Sequence, residues 1–171
     1  MNSKISTLMV LFLIIGTTLF AQEKSKKQLR AERAIKKQQQ TEAMINAKEF
    51  VFIGRTAIPT GFKTMDLTTN TNYVKFHPDS IESYMPFFGK AYGSIGYGGD
   101  GGLKFGGTPE DYTVTKGTKN YQVNASIKGT NDYYKISLSV SFEGSASLSI
   151  TSNNRSPISY NGEISAPEKK K

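Results

Sequence analysis

The chain has 171 residues, with 22 Lys or Arg against 14 Asp or Glu, a formal charge of +8, one histidine and no cysteine. The missing cysteine excludes disulfides, a thiol nucleophile, thiolate metal ligation and the cysteine-linked lipid of a bacterial lipoprotein. Stability must come from packing, and the roughly 150 residues behind the first 21 suffice for one domain with its own core.

Residues 1–21 have the layout of a secretory signal peptide. Lys4 is followed by an apolar run from Leu8 to Phe20 and a small residue, Ala21. The run is short for a membrane span, so it reads as a cleaved export signal. The expected location is the periplasm or the extracellular space, without a lipid anchor.

Residues 22–48 form a basic arm. Eight Lys or Arg stand against four Glu between Gln22 and Glu49. From Phe50 to Pro167 the count is ten basic to nine acidic. The folded part is therefore nearly neutral, and the positive charge sits in the arm and in a tail over 167–171. That distribution points away from nucleic acid and toward, at most, weak contact of the arm with an anionic membrane surface or an envelope protein. The arm lacks Gly and Pro up to Ala47 and favours helix, but Leu29, Ala34, Ile35, Met44 and Ile45 are too sparse for a heptad seam. A partly helical spacer is expected, its last turns near Met44 and Ile45 docking on the domain.

From 49 to 166 the pattern changes to period-two alternation. Tyr134, Ile136, Leu138, Val140 and Phe142 alternate with Lys135, Ser137, Ser139 and Ser141. Ala146, Leu148 and Ile150 alternate with serines, and Tyr121, Val123, Ala125 and Ile127 with polar residues. Such patterning makes strands with one wet face. With the turn residues Gly129-Thr130-Asn131-Asp132 and Glu143-Gly144, it predicts an antiparallel meander over about 111–152. Shorter strands are expected at 50–57, 63–68, 72–76, 112–116 and 158–164. The fold class is all-β, an antiparallel sandwich or barrel-like meander of seven to nine strands with one N-terminal helical arm.

Residues 86–107 stand out. Nine of the chain's sixteen glycines and five aromatics fall in this stretch. Two readings stay open: a loop that folds over a pocket and shows aromatic faces to a ligand, or a packed segment whose Phe87, Phe88 and Phe105 fill the core. Gly96-Tyr97-Gly98-Gly99-Asp100-Gly101 spells a loose dinucleotide motif without the βαβ context it needs. The second segment is Ser152-Asn153-Asn154-Arg155, followed by Ser159-Tyr160-Asn161-Gly162. Arg155 offers a forked donor either to an acidic or sugar ligand or to a carboxylate (Glu163, Asp100 or Asp111) that pins the loop. The candidate ligand-binding residues are Tyr97, Asp100, Lys104, Asn153, Asn154, Arg155 and Tyr160.

Catalytic patterns are thin. His77, beside Pro78-Asp79, would be the sole base of any triad, and no GxSxG elbow is present. One histidine cannot anchor a metal site by itself, so neither metal nor cofactor is expected. A carboxylate pair for hydrolysis could be drawn from Asp100, Glu110, Asp111 and Glu163 without grounds for choosing.

Three ordered motifs are similar to one family: Pro86-Phe87-Phe88-Gly89-Lys90-Ala91-Tyr92, Gly98-Gly99-Asp100-Gly101-Gly102-Leu103-Lys104-Phe105, and Ser152-Asn153-Asn154-Arg155 with Ile158-Ser159-Tyr160-Asn161-Gly162. They resemble the exported Bacteroidota proteins grouped as domain of unknown function 4251. The resemblance implies a Gram-negative envelope setting and a β-rich domain, and no activity. In that setting Asp79-Ser80-Ile81 also resembles an O-glycosylation acceptor. The functional expectation is a non-catalytic exported domain binding a small molecule, glycan or peptide near the Gly/aromatic segment. A structural or interaction module of the envelope, and a hydrolase, are the alternatives.

Overall fold

A computed structural model describes residues 26–92, 101–130 and 132–168. The chain divides into two units, 1–35 and 36–171. Among the described residues one helix, α1 (Lys26–Ala47), precedes ten strands: β1 (Phe50–Pro59), β2 (Met65–Asp66), β3 (Tyr73–Phe76), β4 (Ile81–Met85), β5 (Leu103–Gly107), β6 (Asp111–Lys116), β7 (Asn120–Lys128), β8 (Tyr133–Ser141), β9 (Ser145–Ser152) and β10 (Ile158–Ser165). All pairing is antiparallel, in a single sheet ordered β5-β4-β3-β1-β10-β9-β8-β7-β6, with β2 attached to β1. The sheet is a curled half-barrel, not a sandwich.

Why it curls follows from its connections. β5 and β6 lie at opposite edges, yet only residues 108–110 join them. Laid flat, the nine-strand path would separate its edges by about 38 Å at ~4.8 Å per strand. Four peptide steps reach about 14 Å at most. The two edges must therefore approach at that end, and they do. Phe105 of β5 stacks on Tyr134 of β8 at 4.0 Å between ring centroids. A Cβ on Gly107 would stand 3.6 Å from the Ile127 side chain of β7.

The inner face carries the core. Phe50, Phe52, Phe76, Tyr121, Leu138, Leu148 and Tyr160 are all buried, with Phe50 stacked on Phe76 at 4.4 Å. The alternation in β7, β8 and β9 makes this face, as the sequence pattern requires. Residues 36–47 of α1 lie in the same unit; Ile45 is fully buried in the core and Met44 packs against it. Glu42 pairs with Lys116 of β6 at 2.7 Å, and the Lys48 ammonium sits 4.6 Å above the Tyr112 ring.

The elements differ from expectation in three places. The 63–68 segment shrinks to the two-residue β2. β4 and β5 were not foreseen, and β5 forms inside the glycine-rich stretch. Between β2 and β3, buried Asn72 stands in for a missing strand neighbour of β1. Its carboxamide accepts from Gly54 N–H at 2.7 Å and donates to Gly54 O at 3.1 Å. Each backbone group it satisfies would cost roughly 1–3 kcal/mol if left bare.

Burial pushes the Tyr112 hydroxyl up to about 12 and the Tyr160 hydroxyl higher still. In the unfolded chain both ionise near 10. The raised folded value leaves stability intact below pH 10 and removes it as pH rises through 12. Urea unfolding should therefore show declining stability across that window, and Tyr112→Phe should remove part of the decline. Equal alkaline loss in variant and parent would contradict the burial of Tyr112.

Candidate functional site

The Gly/aromatic stretch is the connection from β4 to β5. Met85 faces Leu103 across the pair, and residues 86–102 link them. Its first stem, residues 86–92, lies against residues 154–156, just ahead of β10. Tyr92 N–H donates to Asn154 O at 2.7 Å, Ser156 N–H to Lys90 O at 2.9 Å, and Lys90 N–H to Ser156 Oγ at 3.1 Å. Ala91 and Arg155 form an antiparallel bridge. Gly89 is required here, because a Cβ would stand 2.5 Å from Ser156 Oγ. Tyr160, fully buried, donates its hydroxyl to Pro86 O at 2.6 Å.

The second stem is held by Arg155. Its guanidinium donates to the carbonyls of Gly101 and Gly102, the latter at 3.0 Å, and lies 5.2 Å from the Phe87 ring centroid. The two sequence segments thus meet in space as expected, but through pins. Among the described residues Arg155 holds backbone carbonyls, and Glu163 pairs with Arg55 at 2.7 Å. Asn153 contributes its N–H to Asp132 Oδ1 at 3.0 Å. Of the seven candidate residues, Arg155 and Tyr160 bind the loop through their side chains and Asn154 through its backbone carbonyl, whereas Asn153 binds Asp132 in the β7–β8 turn. Tyr97 and Asp100 lie outside the described residues. Lys104 is exposed and borders a recess, its ammonium 4.3 Å over the Tyr84 ring.

Two recesses flank the first stem. One, of about 270 Å³, is bounded by Asn70, Thr71, Tyr84, Phe87, Gly102 and Lys104. The other, of about 430 Å³, is almost wholly apolar and is lined by Pro59, Phe62, Lys63, Met65, Phe88 and Gly89. It lies at the rim where β1 ends. Phe62 is 55% exposed and Met65 41%. Sequence reasoning passed over both residues, although an aromatic after Pro59-Thr60-Gly61 is an apolar group placed in a turn. A larger groove of about 580 Å³ runs between α1 and the β8–β9 turn, away from every candidate residue. Its walls are mixed in polarity, so the smaller apolar recess is the better candidate for a ligand.

Acid–base chemistry has little to work with. Glu110 and Asp111 are consecutive. Asp111 on β6 and Glu163 on β10 are separated by β7, β8 and β9. The strand registers set Glu163 six residues along β10 from the row of Asp111, about 20 Å, beyond the ~5–9.5 Å that glycoside hydrolysis uses. Among the described residues no three His, Asp or Glu gather as metal ligands. His77 opens the β3–β4 turn, exchanging backbone hydrogen bonds with Ser80.

Fold and rim together define a curled β half-barrel in which the stems of the β4–β5 connection are stitched to the segment before β10. The family model for the domain of unknown function 4251 (DUF4251) matches residues 32–164, and the chain belongs to that family. A crystal structure of a DUF4251 family protein from Bacteroides eggerthii DSM 20697 has a similar fold. Its TM-score is 0.61 at 22% identity, over 80% of this chain and 91% of that one. No curated protein matches the chain.

If Arg155 pins the loop, Arg155→Ala should raise amide hydrogen exchange across residues 86–92 and 101–102 by roughly tenfold, the loss of about 1.4 kcal/mol of local stability. The sheet core should keep its protection. Unchanged exchange in the loop would show that Arg155 does not hold it.

Proposed function

We propose that this is a non-catalytic binding domain that works outside the cytoplasm and seats a ligand with an apolar or aromatic face at the half-barrel rim. The carrying observation is the apolar recess of Pro59, Phe62, Met65 and Phe88, with Phe62 and Met65 left open to solvent. Exposed aromatic and methionine surface on a small domain marks a binding site more often than a packing fault. Mouths of β-barrels are common places for one. Lys63 on the wall adds a cation for a carboxylate or carbonyl on a small molecule, a glycan or a peptide. The stitched stem behind Phe88 supports this reading, because a fixed wall spares a ligand the ordering cost of a free loop. The signal-like first 21 residues support the location.

The fluorescent dye anilinonaphthalene sulfonate, apolar with one anionic group, is a suitable first probe. It should bind the native protein, and Phe62→Ala or Phe88→Ala should weaken that binding by about tenfold, ~1.4 kcal/mol, with the far-ultraviolet spectrum unchanged. Dye binding that ignores both substitutions would refute the recess as the site.

A further inference from the structure

An open sheet has two edges, and this one treats them differently. β5 is tucked inside the curl, with Phe105 on Tyr134 and Gly107 near Ile127. β6 pairs with β7 on one side and, among the described residues, with no strand on the other. Edge strands are ordinarily blunted by proline, bulges, inward charges or a covering element. β6 reads Asp111-Tyr112-Thr113-Val114-Thr115-Lys116, all paired in unbroken register with β7, and rich in strand formers. Five of its six residues are exposed, and Val114, on the same face as Tyr112, is 40% exposed. The Tyr112 hydroxyl is buried and has no hydrogen-bond partner among the described residues.

We propose that β6 is a self-association edge, through which two copies of this chain join their sheets by antiparallel β6–β6 pairing about a two-fold axis at Thr113. The sequence is self-complementary in that register. Tyr112 of each copy faces Val114 of the other, so the exposed Val114 of one copy is covered by the half-buried Tyr112 of the other. Thr113 faces Thr113, and Asp111 faces Thr115. Glu110, just ahead of β6, faces Lys116 of the second copy and would join the pair that Lys116 already makes with Glu42. Cross-strand pairs of these kinds are the ones that stabilise a sheet. A two-fold axis normal to the sheet requires opposed residues to share a face, and this register meets that condition.

The absence of cysteine makes the test direct. Opposed residues in an antiparallel pair have Cα atoms about 4.5–5.5 Å apart, within the range a disulfide spans. In Thr113→Cys the two introduced thiols would face each other. In Thr115→Cys they would lie four residues apart along the pair, about 13 Å, too far to bond. Light scattering on the native protein should show a dimer, and Val114→Lys should give a folded monomer. Under mild oxidation Thr113→Cys should form a covalent dimer at least about tenfold faster than Thr115→Cys, the advantage of a preformed pair over random collision. A monomer at every concentration, a dimer that survives Val114→Lys, or equal cross-linking of the two variants would each overturn the proposal. The monomer result would leave β6 to a different partner or to none.

Discussion

Three residues between opposite edges of the sheet govern this molecule. Because 108–110 must carry the chain from β5 to β6, the sheet cannot lie flat. Its curl turns the alternating faces of β1, β3, β4 and β7–β10 onto one another and lets a single sheet enclose a core. Phe105 on Tyr134 is the contact where the curl meets itself. The half-barrel also leaves β6 at its outer edge and creates a rim, and both features carry the functional reading.

At the rim the chain faces an entropic problem, since β4 and β5 are joined by seventeen residues, 86–102. Short strands beside so long a connection would pair poorly if the connection moved freely. The solution is to stitch its stems to the segment leading into β10. Ser156 and Asn154 form the seam with residues 90–92, Gly89 permits the close approach, and Arg155 crosses to the far stem. β10 pairs with β1, so the seam is fixed to the centre of the sheet. Phe88 is thereby held as one wall of the apolar recess, opposite Phe62 and Met65. Packing the loop and shaping the recess are one structural event.

Much of this architecture was legible in the sequence, for local reasons. β7, β8 and β9 declare themselves because each alternates apolar and polar residues and is joined by turn-forming residues to the next. The end of the helical arm was legible through Met44 and Ile45. β5 was hidden because Gly106 and Gly107 have no side chains to alternate. The β1–β10 pairing joins residues about a hundred positions apart, and no local pattern encodes it. At the rim, the meeting of the Gly/aromatic stretch with Asn153, Asn154, Arg155 and Tyr160 was foreseen. That Arg155 pins the loop is one of the two readings the sequence offers; the partners it holds, the carbonyls of Gly101 and Gly102, leave no charge signal in a sequence. Tyr160 was identified as a strand residue, but its inward face and its bond to Pro86 depend on the curl.

The measurement that tests the account most directly is a nuclear Overhauser spectrum of the aromatic protons. The curl predicts cross-peaks between the rings of Phe105 and Tyr134, and between Gly107 Hα and the Ile127 methyls. Strong peaks at both pairs would establish that the sheet closes on itself over the 108–110 link. Their absence, with the neighbouring β7–β8 cross-peaks intact, would mean that the edges stand apart, and the rim and its recess would not exist as described.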